Sequence, residues 1–359
     1  MKTILPLAVA IALAPLQPVW AQAPAPAANA LKQRSDSAKK ASSPPCVTEG
    51  KTRFVCDVQV VEDMMIVPGG RWVAGSAMAA GAGGLYLIDT RTLKAHPAKI
   101  VMGKPEAPFD RCPGPPDLKT LRTHGIDLKP GKRAKTATVY AVAHGGRESI
   151  EVFKLDASRA EPKVTWTGCL VLPKNASGNA VAALPDGRIA VTKFMNADDK
   201  DGIVHIMSGQ VTGTVYVWTP GKGFAEVPGT RLSGDNGLLA SKDGQWLYVN
   251  DFGNKAVYRV PLDHSGEIRH VATAFRPDNL RWAPDGKIIA TGQFVDLSNR
   301  NDLHGWAAVK IDPDTLKAES YVKVPGSKAF DNGTTTLVVG KDLYIGTYRG
   351  DRVAVIPAP

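Results

Sequence analysis

Apolar and polar positions alternate along most of the chain in short runs rich in β-branched residues, and Gly, Pro or Asp-Gly signals break each run. Clear examples are residues 188–192, 214–218, 246–250, 287–291 and 342–347. A period of two argues for half-buried strands, whereas the 3.6-residue period of an amphipathic helix is nearly absent. Six of the turns resemble one another: Pro68-Gly69-Gly70, Pro130-Gly131, Asp186-Gly187, Asp243-Gly244, Asp285-Gly286 and Val339-Gly340. Their last glycines recur at intervals of 42 to 61 residues, a period that holds about four strands and marks propeller blades. The pattern predicts an all-β fold, a six-bladed β-propeller with four-stranded blades. In each blade the strand before the turn is expected innermost, with later strands stepping outward. The last blade runs out near 353–356, one strand short, so residues 53–58 are expected to supply its outer strand. That N-terminal strand would close the ring and remove exposed edges.

Counting back eight residues from the turn glycines reaches Glu62, Asn179, Asn236, Asp278 and, in the sixth repeat, Asn332. The second repeat departs from the rule, with His124 seven residues before Gly131. An equal offset puts these side chains at one height on the inner strands, at the end away from the hairpins, where they meet around the central tunnel. Two carboxylates with several amide oxygens and no Cys make a hard oxygen site, suited to Ca2+ before magnesium or manganese. Burying Glu62 beside Asp278 without a cation would cost on the order of several kcal/mol or keep one carboxyl protonated.

Composition settles the compartment more than the chemistry. Met1-Lys2-Thr3, an apolar run over 4–16 and the small-residue pattern of Val19-Trp20-Ala21 predict a secretory signal peptide over 1–21. Residues 22–45, rich in Ala, Pro, Ser and Lys, read as a disordered leader, which leaves 46–359 as the propeller domain. The first apolar run is too short for a membrane span and no later stretch is longer, so an exported protein, periplasmic or secreted, is expected. The formal charge of +10 is spread along the chain, which describes a solvated basic surface rather than a nucleic-acid site. Four cysteines in an exported chain predict two disulfides. Spacing does not fix the pairing. Cys46–Cys56 and Cys112–Cys169 are preferred because each would pin a segment flanking early strands.

Several segments lie outside the repeat rule yet match a known pattern. Glu62-Asp63-Met64, His124-Gly125-Ile126, Val142-Ala143-His144, Asn236-Gly237 and Asp278-Asn279 resemble the paraoxonase and arylesterase branch of the calcium-dependent lactonases. The Glu, Asn, Asn and Asp quartet is more distantly similar to the gluconolactonase and regucalcin family. The resemblance runs in order from about Val60 to Gly346. It implies a catalytic calcium held by Glu62, Asn179, Asn236, Asp278 and Asn279, and a histidine dyad in which His124 activates water and His144 orients it. The strand order agrees with that implication, since His124 begins the inner strand of the second blade and His144 ends the strand beside it. In the paraoxonases a second, structural calcium uses the equivalents of Asp63 and the Ile126 carbonyl together with an Asp. Ala180 stands at the Asp position, which removes one ligand from that second site. The family's disulfide between the chain ends is also missing, because no Cys lies beyond Cys169.

The function implied is hydrolysis of a small-molecule lactone or carboxylic (aryl) ester, its carbonyl polarised by the metal and attacked by water, with His124 as general base. Asp278 as nucleophile is a second route. A sugar lactonase or phosphotriesterase could use the same metal, and a non-catalytic propeller could keep the ion for stability. Substrate loops are expected on the metal face. Residues 196–213 are a candidate lid with His205, Ile206 and Met207, and Phe194, Phe252 and Phe294 are candidates for an apolar wall to which Asn332 adds a polar position.

Overall fold

The computed structural model describes residues 44–82, 84–263, 265–299 and 302–359. The predicted signal peptide and the predicted leader up to residue 43 lie outside the described residues. Pro44 and Pro45, assigned to that leader, are held: the Arg352 guanidinium donates to the Pro44 carbonyl at 2.6 Å and the Pro45 carbonyl at 3.2 Å.

Strand β1 (Arg53–Val55) precedes six sheets that follow the predicted repeat. The first comprises β2 (Met64–Ile66), β3 (Trp72–Ser76), β4 (Leu85–Asp89) and β5 (Lys94–Pro97). The second comprises β6 (Ile100–Met102), β7 (Arg122–Pro130), β8 (Thr136–His144), β9 (Ser149–Asp156) and β10 (Lys163–Val171). The third is β11 (Ala176–Ala183), β12 (Ile189–Asn196), β13 (Thr214–Thr219) and β14 (Gly223–Glu226). The fourth is β15 (Asp235–Ala240), β16 (Trp246–Asp251), β17 (Ala256–Pro261) and β18 (Arg269–Ala272). The fifth is β19 (Arg276–Trp282), β20 (Ile288–Gln293), β21 (Trp306–Ile311) and β22 (Ala318–Val324). The sixth joins β23 (Gly333–Val339), β24 (Asp342–Thr347) and β25 (Val353–Pro357) to β1, which pairs antiparallel with β25 through Arg53↔Val355. Each blade is built on four antiparallel strands, consecutive in the chain except in the sixth, and the second carries β6 as an extra edge strand, parallel to β10.

Each predicted turn joins the first two strands of its blade. The first strands touch in a circle: β2 meets β7, β7 meets β11, β11 meets β15, β15 meets β19, β19 meets β23, and β23 meets β2. They therefore line the axis, and the architecture is the expected six-bladed propeller. The alternation of apolar residues has a simple destination, because blade faces pack on blade faces. Val67, Trp72 and Leu85 of the first blade meet Ile126, Val139 and Phe153 of the second, and Leu238 and Val249 of the fourth meet Ala190 and Val217 of the third. Burial of this kind supplies the main favourable term in folding.

The two disulfides are Cys46–Cys56 and Cys112–Cys169, as preferred, and such bonds fit an oxidising compartment. Among the described residues no helix is long and apolar enough to cross a membrane. The one regular helix given for the described residues is α1 (Gly202–Met207), inside the connection after β12 where a lid was expected and no helix was foreseen.

Candidate metal centre

The inner strands are irregular at the positions singled out by the repeat rule. In β7, His124 and Gly125 together face one residue of β8. Asn179-Ala180 in β11, Asn236-Gly237 in β15, Asp278-Asn279 in β19 and Thr334-Thr335 in β23 do the same against their second strands. Each is a β-bulge, which bends a strand and re-aims its side chains. Glu62 and Asp63 immediately precede β2. The bulges explain the one exception to the offset of eight: His124 occupies the same place in its bulge as Asn179, Asn236 and Asp278, but the paired stretch from the bulge to the turn is longer, reaching Pro130. They also displace Asn332, which obeys the count but lies before β23 with a positive φ of 55°. Thr334 holds the sixth bulge instead.

Residues opposite or within the bulges tie neighbouring blades together. Thr192 Oγ1 donates to the Asn236 carbonyl at 2.8 Å, and Asn250 Nδ2 donates to the Asp278 carbonyl at 2.8 Å. Thr334 Oγ1 donates to the Glu62 carbonyl at 2.6 Å. Glycine completes the close approach, since a Cβ on Gly237 would sit 2.2 Å from the Asp278 carbonyl oxygen and one on Gly125 would sit 2.4 Å from that of Asn179. The spacing of these side chains is thus set by contacts between blades.

Glu62, Asn179, Asn236, Asp278 and Asn279 are all between 1% and 6% exposed, too buried for water to solvate their oxygens. Asn279 Nδ2 donates to Glu62 Oε1 at 2.5 Å, and Gln293 Nε2 donates to Asp278 Oδ2 at 2.5 Å. Glu62 Oε2 and the Oδ1 atoms of Asn179, Asn236 and Asn279 have no donor, and neither do Asn250 Oδ1 and Gln293 Oε1 close by in the fold. A buried acceptor without a donor is costly, so a cluster of them needs a cation or donors from outside. Burial raises the Glu62 carboxyl well above its ordinary value, and the nearby Asp278 charge adds to this. Burial likewise raises Asp278, against the pull of the Gln293 hydrogen bond. Among the described residues no three His, Cys, Asp or Glu side chains form a metal-sized group. The set is two carboxylates with amide oxygens, and those donors fit a hard divalent ion.

The histidines are brought together at the same end. His124 Nδ1 and His144 Nε2 are 3.1 Å apart. His124 Nε2 is 3.8 Å from Glu62 Oε2, a contact that becomes an ion pair only if the imidazole is protonated. Burial first, then electrostatic repulsion from the His144 ring and from Arg122, hold the His124 pKa down to about 3. Behind the dyad, His144 Nδ1 lies 2.8 Å from Glu148 Oε1.

Asp63 and Ile126, named for a second ion, also meet, but another group takes both. The Ile126 N–H donates to Asp63 Oδ2 at 2.8 Å. Arg281 forms an ion pair with the same oxygen and donates to the Ile126 carbonyl and the Met64 carbonyl, each at 3.0 Å. Arg281 is an inner-strand residue that turn counting passes over.

The proposed wall is only partly assembled. Phe194 and Phe252 pack edge to face, 6.0 Å between centroids, with Ile206, Met207 and Val295 beside them. Phe294 packs on Phe275 and under the Lys323 ammonium instead. His205 turns to Asp199, 2.9 Å away. Asn332 Oδ1 accepts from the Tyr348 hydroxyl at 3.1 Å. The sequence pattern does not single out Gln293, Asn250, Glu148 or Arg281, whereas Tyr348 falls in a loop expected to rim the metal face. Gln293 and Asn250 carried a weak signal, as polar residues at or near the ends of apolar second strands.

The model of the SMP-30/Gluconolactonase/LRE-like region matches residues 130–329, which takes in Asn179, Asn236, Asp278 and Asn279 but neither Glu62 nor His124. No curated protein matches the chain. Among solved structures, a luciferin-regenerating enzyme is similar with a TM-score of 0.54 and 16% identity, covering 84% of this chain and 92% of its own. A calcium-binding protein, regucalcin, from Agrobacterium tumefaciens strain C58 has a TM-score of 0.51 and 13% identity, covering 85% and 92%. These likenesses show the fold. The family match extends over more than half of the sequence, and the chain belongs to the SMP-30/gluconolactonase/LRE-like family.

Proposed function

We propose that this protein is a calcium-dependent hydrolase of lactones or carboxylic esters, aryl esters included, from the paraoxonase-like side of its family. One observation carries the reading: buried oxygens without donors gather beside His124 Nε2. Glu62, Asn179, Asn236, Asp278 and Asn279 would hold one calcium ion, which when bound would polarise a substrate carbonyl. A regucalcin of the same fold is described as calcium-binding, which supports the choice of ion. The other steps belong to the chain. His124, kept neutral by burial, takes a proton at Nε2 from a water whose oxygen bonds to the carbonyl carbon. The bond to the leaving oxygen then breaks, and that oxygen takes the proton back from His124, giving a carboxylic acid and an alcohol, or a hydroxy acid from a lactone. Gln293 fixes Asp278 Oδ2, which favours a holding role for Asp278 over attack. Phe194, Phe252 and Met207 offer an apolar wall for the substrate. Export by the 1–21 segment agrees with the two disulfides.

The purified protein should hydrolyse phenyl acetate and a δ-lactone, lose turnover in EDTA and regain it with calcium. His124→Gln should lower kcat on the order of 100-fold while calcium still raises the melting temperature. Full turnover in that variant would remove His124 from the reaction. If no ester, lactone or phosphotriester is turned over but chelation lowers the melting temperature, the ion serves a binding propeller.

A further inference from the structure

We propose that Glu148 is the positioning residue of the histidine pair: it fixes the tautomer of His144, and through it leaves His124 Nε2 unprotonated and facing the centre. This deepens the hydrolase reading and rests on it for its kinetic consequence, though not for its structural one.

The hydrogen-bond polarity follows from one carboxylate. Both oxygens of Glu148 lie against His144 Nδ1, at 2.8 and 2.9 Å. An ionised carboxylate only accepts, so Nδ1 of His144 carries the hydrogen and its Nε2 presents a lone pair. His124 Nδ1, 3.1 Å from that lone pair, must then be the donor. In a neutral imidazole the other nitrogen is bare, and that nitrogen is the one 3.8 Å from Glu62 Oε2. Glu62 Oε2 has no donor of its own. Two acceptors thus face each other across a gap that suits a cation or a water, as a base aimed at its reactant requires.

The loop after β8 is built to bring Glu148 back under the ring it holds. Gly145 and Gly146 take φ values of +84° and +138°, a region that favours glycine. A Cβ on Gly145 would lie 1.9 Å from the Thr120 carbonyl oxygen. The neighbouring cation does not compete: Arg147 is drawn to Glu151 at 2.7 Å and to the Gly114 carbonyl at 2.9 Å. Glu148 also accepts the Gly178 N–H at 3.1 Å, so the carboxylate that orients the dyad also grips the strand residue before Asn179. Its side chain is 29% exposed, enough for water to solvate its charge.

Nitrogen NMR of the wild-type protein labelled with 15N-histidine decides the structural claim without any substrate. His124 and His144 should both be Nδ1–H tautomers. Finding either as the Nε2–H tautomer overturns the proposal, whether or not the protein proves to be a hydrolase. In Glu148→Gln the side-chain amide can donate to His144 Nδ1, which reverses the chain and places a hydrogen on His124 Nε2. That variant should show Nε2–H tautomers and a kcat reduced on the order of 100-fold, with KM and the calcium-induced rise in melting temperature retained. A variant that keeps the wild-type kcat, or loses rate with unchanged tautomers, also overturns it. If the variant fails to fold, the wild-type spectrum still decides.

Discussion

Glu62 and Asp63 are adjacent in the chain and each is 1% exposed, yet they face opposite situations. Asp63 accepts from the Ile126 and Met64 N–H groups and pairs with Arg281. Burial pushes its carboxyl up, but the Arg281 charge pulls the other way. Glu62 has a single amide donor on one oxygen and none on the other, and its charged neighbours include Asp278. One buried carboxylate is completed by the chain itself and the other keeps an oxygen that no protein donor reaches. The same tunnel thus holds a completed carboxylate and an incomplete one, separated by a peptide bond, and the difference lies in which of them the Arg281 guanidinium pairs with.

The largest effect should come from breaking the self-sufficient half. Arg281→Met leaves Asp63 buried without its partner and should cost about 3–5 kcal/mol in urea unfolding, by the same amount in calcium and in EDTA. A loss that depends on calcium would mean that the two sites are not separate. Next comes the receptive half. Calcium at 100 times its Kd should stabilise the wild type by about 2.7 kcal/mol, and EDTA should abolish the gain. An unfolding curve indifferent to EDTA would show Glu62 to be complete as it stands. The smallest change should be a reversal of sign. Asn179→Leu removes a buried oxygen without a donor, so the metal-free protein should gain about 1 kcal/mol while its calcium-induced gain shrinks. Destabilisation of both forms would mark Asn179 as an ordinary packing residue.

Turn chemistry made much of the ring legible. Asp-Gly and Pro-Gly signals act over a few residues, and so do alternating apolar positions, so the blade number, the inner strands and the hairpins could all be read directly. The offset of eight found Glu62, Asn179, Asn236 and Asp278 because each precedes by the same count the last residue paired before its turn, Ile66, Ala183, Ala240 and Trp282. It misled at Asn332, since the sixth hairpin pairs Val339 directly with Asp342 and moves the bulge to Thr334. It understated His124, whose bulge sits at a different count. A bulge depends on the register of two strands, which a count along one strand does not contain.

The sequence by itself determined which residues line the axis and which face the blade interfaces, because both follow from period-two alternation and short-range turns. Only the tertiary structure decided which polar groups are completed. Arg281 reaches the Met64 carbonyl across 217 positions of sequence, and Asn279 reaches Glu62 across another 217. Those distances close only when six blades meet around one axis, and burial there turns an unmatched oxygen into a demand for a cation.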